Sequence, residues 1–295
     1  MKRQKKTRGS STGSPENRVR AKKKYGQNFL KDAAILDGIV ECAGIGPNDH
    51  VLEIGPGLGA MTGRLCESAG KVTAVEIDKS LIPHLEEVLS PYDNVELIQG
   101  DILKTDLKEI ADRTPEGGAF RVVANLPYYI TTPIVTSLLE ASLPIESITV
   151  MVQKEVAERF VAEPGSKECG AISLAVSYYA EASIEIDVPP ECFTPRPKVS
   201  SSVINLRRRS EPPVQVEDEE LMFAIIRASF NQRRKTLVNG IAHGAGLGLS
   251  KEEIESAITS LGESATVRGE VWGLDRFAAL SNVFSGMGVR KNSGV

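Results

Sequence analysis

The sequence predicts an α/β protein, a mostly parallel sheet covered by helices on both faces, followed by a small all-helical region. Three observations predict it. Short apolar runs alternate with helix-period segments from Val51 to Ala162. The run Phe120-Arg121-Val122-Val123-Ala124 reads as a buried strand. Beyond Pro212-Pro213 the strand signal stops, and four segments of helical periodicity follow. With 295 residues the chain can hold one large domain and a smaller one.

Taken in order, residues 1–22 are polar, carry Gly9-Ser10-Ser11-Thr12-Gly13-Ser14-Pro15, and are expected to be disordered. Ala34, Ile35, Ile39 and Val40 give a helix period over Lys31–Ala43, and Gly44–Asp49 is a turn. Strands are then expected at Val51–Ile54, Lys71–Ile77, Val95–Gln99, Arg121–Ala124 and Ser147–Gln153. The helices between and after them are Ala60–Ser68, Lys79–Leu89, Leu107–Arg113, Pro133–Ala141 and Glu155–Ala162. Pro83 falls in the first turn of its helix, where proline is tolerated. Pro164-Gly165 breaks the pattern. Ile172–Tyr179 reads as a helix or, over its first five residues, a strand; Ser183–Val188 and Ser202–Leu206 read as closing strands joined by the proline-rich Pro189–Pro197. The helical region spans about 213–284, with Leu221–Phe230, Arg234–Ile241, Lys251–Leu261 and Glu270–Leu280 as its helices and a loose tail over 285–295. The α/β domain accordingly covers 23–212.

Composition narrows the function classes. No segment approaches the ~20 consecutive apolar residues that span a bilayer, and the charged amino terminus lacks the apolar stretch of a secretory signal. Cys42, Cys66, Cys169 and Cys192 form no C-x-x-C pair and read as reduced cysteines of a cytoplasmic protein. His50, His84 and His243 lie far apart, so no metal site is expected. The net charge of −4 hides an asymmetry: residues 1–24 hold ten Lys/Arg against one Glu, the remainder 25 Lys/Arg against 38 Asp/Glu. A basic arm on an acidic body suggests a polyanionic partner. No oligomerisation heptad is evident, and a monomer is expected.

The motifs sit where strands end. Glu53-Ile54-Gly55-Pro56-Gly57-Leu58-Gly59 follows the first sheet strand and precedes a helix, a glycine-rich turn that lets backbone approach a ligand. It fits the dinucleotide fingerprint poorly, because Gly57 is followed by Gly59 and then Gly63. No P-loop lysine follows, which argues against ATP. Glu76, ending the second strand 21 residues after Gly55, can accept both hydroxyls of a ribose. Asp101, after the third strand, can accept from an adenine amino group. At the fourth strand end, the Asn125 side-chain oxygen and the Leu126 carbonyl can each accept from an exocyclic amine. Pro127 fixes φ and brings no competing N–H, and Tyr128 offers a ring face to a base. Together these residues point to methylation of a nucleobase amino group.

The set Gln27-Asn28-Phe29-Leu30, Glu53 to Gly59, Val75-Glu76-Ile77-Asp78, Gly100-Asp101 and Asn125-Leu126-Pro127-Tyr128 resembles the ribosomal RNA adenine N6,N6-dimethyltransferase family, and within it the bacterial small-subunit (16S) type. Met151–Arg159, Phe193–Val199 and Asn231–Leu237 agree, so the resemblance runs from about Lys24 to Asn282. It implies a Rossmann-like methyltransferase fold, S-adenosylmethionine as methyl donor and 16S rRNA of the small subunit as partner. It also implies roles residue by residue. Asn28 and Leu30 meet the cofactor from the amino-terminal segment, Gly55 its methionine end, Glu76 its ribose and Asp101 its adenine. Gln27, Gly57, Ile77 and Ile102 complete that set. Asn125 touches both cofactor and target amine, and Phe193 stacks on the target adenine opposite Tyr128; otherwise Phe193 is a core aromatic. Arg207-Arg208-Arg209, Arg227, Arg233, Arg234, Lys235, Arg268 and Arg276 are the expected contacts to rRNA phosphates. Two departures from the family pattern, Tyr129 and Ser200, lie outside the predicted amine acceptors. Two alternatives stay open at this point: a 23S adenine methyltransferase of the macrolide-resistance type, and a non-catalytic ribosome-assembly or transcription factor on the same fold.

Overall fold

The computed structural model describes Lys22 and residues 25–114, 118–232 and 234–291. The disordered arm expected over 1–22 lies outside these residues apart from Lys22, as does Arg233. After the two-residue strand β1 (Phe29–Leu30), helix α1 (Ala33–Ala43) starts where the Asp32 carboxylate accepts from the amides of Ala34 and Ile35, and it stops at Gly44 with φ +61°. That cap is why the helix begins two residues later than periodicity suggests. Then come β2 (His50–Ile54), α2 (Ala60–Ser68), β3 (Lys71–Glu76), α3 (Ile82–Leu89), β4 (Val95–Gln99), α4 (Leu107–Asp112), β5 (Phe120–Asn125), α5 (Thr131–Glu140) and β6 (Ile145–Gln153). Helix α3 starts at Ile82 rather than Lys79, because the Asp78 side chain accepts from the Ser80 amide and hydroxyl and holds that stretch as a turn.

Helices α6 (Lys154–Phe160) and α7 (Ala171–Tyr179) lead into β7 (Ala180–Val188), the two-residue β8 (Phe193–Thr194) and β9 (Ser201–Arg208). The ambiguous Ile172 segment is thus a helix. The sheet order is β4-β3-β2-β5-β6-β9-β7; neighbours from β4 through β6 run parallel, and β9 lies antiparallel between β6 and β7. The chain winds outward from β2 to β4, then from β5 to β6, so strand order reverses between β2 and β5. Their carboxyl ends therefore open the crevice in which such sheets bind ligands.

Both faces of the central strands are buried. On β5, Val122 and Ala124 pack with α5 residues Ile134, Val135 and Leu138, while Val123 points to the other face with Leu36, Ile39, Met61 and Leu65 of α1 and α2. The carboxyl-terminal region holds α8 (Glu219–Asn231), α9 (Leu237–Gly244), α10 (Lys251–Ser260) and α11 (Leu274–Gly286) around a second core. Helix α9 starts at Leu237, not Arg234, because Thr236 caps it. Before α11, Gly269–Val271 is a short 3-10 turn. The tail expected to be loose from 285 is docked as far as Lys291: Val289 N–H donates to the Phe284 carbonyl, and Arg290 donates to that of Ser285. Leu174, Ala175 and Tyr178 of α7 belong to this second core, whereas Val176 of the same helix belongs to the first.

Candidate active site

At the carboxyl ends of β2, β3 and β5 lies a cavity roofed by residues 25–30 and by Asn125 to Tyr129. The glycine turn after β2 forms its floor. Gly55 (φ +72°) and Gly57 (φ +61°) adopt backbone that favours glycine. A Cβ on Gly55 would meet nothing within 4 Å, so that position faces open space, whereas one on Gly57 would press on the Phe29 ring at 3.2 Å. Glu76, ending β3, accepts from the Gly57 amide at 3.2 Å through one oxygen and from the Asp78 amide at 2.7 Å through the other. Its carboxylate is held rigidly at the cavity wall with lone pairs to spare.

Two features of this cavity fit a bulky polar ligand. The open space above Gly55 lets backbone approach it. Glu53, on β2, lines the cavity fully buried with both carboxylate oxygens unpartnered among the described residues. Burial pushes its carboxyl up to about 8, against the opposing pull of the neighbouring Thr62 hydroxyl, and the charge of Glu76 adds to the rise. A cofactor bearing a sugar, a base and an amino acid group matches this donor and acceptor set. The residues that would hold it are Gly55, Gly57, Glu76 and Ile77 from the sheet side, and Asn28 and Leu30 from the strap.

The motif at the end of β5 is tied down on three sides. Asn125 Nδ2 donates to the Asn28 carbonyl at 3.3 Å, which leaves Oδ1 as the acceptor. The Leu126 amide donates to the Met151 carbonyl on β6 at 3.2 Å. The Pro127 carbonyl receives the Ile130 amide at 3.1 Å and the Thr131 hydroxyl at 3.2 Å, closing a tight turn into α5. The Tyr128 hydroxyl shares a hydrogen bond with Ser201 at 2.9 Å, fixing the ring against β9. Tyr129 is 61 % exposed, and its ring lies beside Gly26.

Eleven of the fourteen residues singled out in the sequence line this one cavity: Gln27, Asn28, Leu30, Gly55, Gly57, Glu76, Ile77, Asn125, Leu126, Pro127 and Tyr128. Asp101, Ile102 and Phe193 do not. The Asp101 carboxylate turns to cap a 3-10 turn through the Leu103 amide at 3.1 Å. Ile102 packs into the core beside Ile110, and Phe193 is 4 % exposed, in the core cluster of Leu30 and Leu36. Gln27 lines the cavity, but both ends of its amide are engaged elsewhere, with Asp78 and with the Lys22 amide. Sequence reasoning missed Glu53 as a separate feature. Its signal was available: a lone carboxylate inside the apolar strand His50–Ile54.

The expected phosphate contacts are largely committed within the protein. Arg208 donates to the Leu138 and Ala141 carbonyls at the end of α5 and lies over the Tyr179 ring. Arg209 pairs with Glu181, and Arg276 with Glu263. Arg227 and Arg268 stand 3.9 Å from Glu140 and Glu270. Arg207, Arg234 and Lys235 are exposed. Among the described residues no cluster of metal-ligating side chains occurs, and no helix is long and apolar enough to cross a membrane.

The family model described as ribosomal RNA adenine dimethylase matches residues 18–263. The ribosomal RNA small subunit methyltransferase A of Lachnoclostridium phytofermentans is 56 % identical, over 88 % of this chain and 90 % of its own. That of Geobacillus thermodenitrificans is 50 % identical, with the same coverage. Among solved structures, a dimethyladenosine transferase from Plasmodium falciparum is similar at a TM-score of 0.72 and 25 % identity, covering 88 % of this chain and 98 % of that one. The 23S rRNA methyltransferase ErmE is similar at 0.64 and 28 %, covering 86 % and 98 %. The glycine turn, the Glu76 wall and the braced Asn125 motif share one cavity on a Rossmann-like sheet, and the chain belongs to the ribosomal RNA adenine dimethylase family.

Proposed function

We propose that the chain transfers methyl groups from S-adenosylmethionine to the N6 amino group of adenines in 16S rRNA, two per adenine, late in assembly of the small ribosomal subunit. It acts in the cytoplasm as a monomer. The observation that carries the reading is the Asn125 amide, whose nitrogen is spent on the Asn28 carbonyl and whose oxygen is thereby an acceptor beside the cavity. S-adenosylmethionine supplies, when bound, a methyl group made electrophilic by its sulfonium.

The protein's part is placement. An adenine amine is a poor nucleophile because its lone pair is drawn into the ring. Hydrogen bonds to Asn125 Oδ1 and the Leu126 carbonyl hold the two N–H groups and so aim the lone pair, and orientation of this kind is a major source of rate. A general base is not required, because the N-methylated ammonium is acidic enough to release its proton to water. Glu76 would take the ribose hydroxyls, and Asp101, whose Oδ1 caps the following turn, would offer its other oxygen to the cofactor's adenine amine. The target base leaves its stack and lies on Tyr128. Phe193 completes the sandwich only if its ring leaves the core.

The small-subunit substrate is preferred over 23S RNA because relatives about half identical to this chain carry that name, whereas the 23S enzyme ErmE is 28 % identical. The test is transfer of labelled methyl to unmethylated small subunits, with large subunits and naked 23S RNA in parallel. Dimethyladenosine on small subunits alone is expected. Label on 23S RNA would move the chain to the resistance type, and binding without transfer would make it an assembly factor.

A further inference from the structure

We propose that Asp78 is a positioning residue, which clasps the segment 25–30 across the cofactor cavity through Lys22 and Gln27. The inference rests on the cavity being the S-adenosylmethionine site. The Asp78 side chain is almost completely buried and gathers donors from two parts of the chain. Its Oδ1 accepts from Lys22 Nζ at 2.7 Å and from the Ser80 amide and hydroxyl at 3.0 and 2.8 Å. Its Oδ2 accepts from Gln27 Nε2 at 3.2 Å. Gln27 Oε1 in turn accepts from the Lys22 amide at 2.7 Å, so Lys22, Gln27 and Asp78 close a ring of hydrogen bonds.

An exposed lysine–carboxylate pair contributes little. Here the carboxylate is 2 % exposed and receives charge-assisted and neutral donors together, the arrangement in which such bonds are strong. Burial alone would push the Asp78 carboxyl up; the bonds from Lys22, Ser80 and Gln27 outweigh that and hold it at about 2. The clasp is therefore closed throughout the neutral range.

Its position gives it a function. Every residue from Tyr25 to Leu30 lines the cavity. At one end this strap is pinned by strand pairing, Phe29 with Thr194 and Leu30 with Phe193. At the other end Asp78 is the anchor. Between the two lies Asn28, whose carbonyl holds the Asn125 amide. The same turn also sets the ribose acid, since the Asp78 amide donates to Glu76. One turn thus fixes a wall of the cavity through its backbone and the roof through its side chain. Releasing the clasp loosens the roof and leaves β2, β3 and β5 intact.

The experiment compares the full chain with Asp78→Asn and Lys22→Met, and uses Lys22→Arg as the conservative control. Binding of S-adenosylhomocysteine is measured by calorimetry, the cofactor KM and kcat by methyl transfer to small subunits, and amide exchange by mass spectrometry. Asp78→Asn and Lys22→Met are expected to raise Kd and KM by about tenfold, with a smaller fall in kcat because Asn125 is loosened only indirectly, through Asn28. Exchange is expected to accelerate across 25–30 while the sheet stays protected, and Lys22→Arg should restore most of the affinity. Unchanged Kd in both variants would overturn the clasp, as would faster exchange spread evenly over the sheet, the mark of a purely structural role. Failure of the unsubstituted chain to bind S-adenosylhomocysteine would overturn the cofactor reading itself, and the clasp with it.

Discussion

Replacing Glu53 by Gln keeps the shape of a buried side chain and removes its ability to ionise. In the folded protein both oxygens lie without partners among the described residues, and the carboxyl is raised from 4.5 to about 8. In the unfolded chain it ionises above 4.5. The folded state forgoes that ionisation, so stability is lost as pH rises from 4.5 to about 8 and is level beyond. At about 1.4 kcal/mol per pH unit, the cost is about 3 kcal/mol at pH 7 and about 5 kcal/mol above both values. That is a large share of the roughly 5–15 kcal/mol by which domains are stable. Glu53→Gln should therefore stabilise the cofactor-free protein, with a gap over the unsubstituted chain that closes near pH 4.5, widens from pH 6.5 to about 8 and is level beyond. His50 titrates in the opposite sense. Burial, reinforced by the charge of Lys71, lowers it from 6.5 to about 4, so its contribution is lost only as pH falls below 6.5. Urea midpoints above pH 6.5 thus keep His50 out of the comparison. A gap that stays constant with pH, or a variant weaker than the unsubstituted chain throughout, would refute the reasoning.

Asn125→Ala should retain its circular dichroism spectrum and lose about a hundredfold or more in methyl transfer, because the amine acceptor disappears; turnover within a few fold of normal would remove Asn125 from the chemistry. Tyr128→Phe gives up only the bond to Ser201, worth about 1 kcal/mol, and should stay active. Tyr128→Ala removes a stacking face worth ~1–3 kcal/mol and should raise the KM for RNA, whereas equal losses in the two variants would place the hydroxyl, not the ring, in the site. Arg207→Ala should leave stability unchanged and reduce the salt slope of subunit binding by about one. Arg208→Ala should cost ~1–3 kcal/mol of stability through the lost Leu138, Ala141 and Tyr179 contacts and leave that slope alone; denaturation and binding titrations at several salt concentrations separate the two.

The features carried by local pattern were legible in the sequence. Strands β2 to β6 announce themselves as apolar runs between helix-period segments, and Glu76 and Asn125 can be placed at strand ends by position alone. What depends on distant partners was not legible. Strands β1 and β8 have two residues each, too few for any periodicity, and exist because Phe29 and Leu30 meet Thr194 and Phe193. The insertion of β9 between β6 and β7 leaves no trace in its own composition. Phe193 sits in a proline-rich stretch that suggests exposure, yet that pairing buries it. The arginines illustrate the same limit: charge is visible in sequence, but whether a guanidinium is spent on Glu181 or on helix carbonyls is settled only by folding. Gln27 lines the cavity, as its place in the motif suggests, but its amide is occupied by Asp78 and Lys22, which no local pattern reveals.

Helix α7 belongs to both cores. Val176 packs with the sheet, and Leu174, Ala175 and Tyr178 pack with α8 to α11. The Tyr178 and Tyr179 hydroxyls both donate to Glu219 at the start of α8, and the Tyr179 ring stacks on Phe223. The point near residue 212 where the chain passes from one region to the other is therefore not a seam in the packing. Exchanging the helical region with that of a relative would have to carry the facing side of α7 along. Drift at Ile172 or Tyr179, which pack against both cores, is constrained by two interiors at once. The two regions are packed as one piece, even though they read as two.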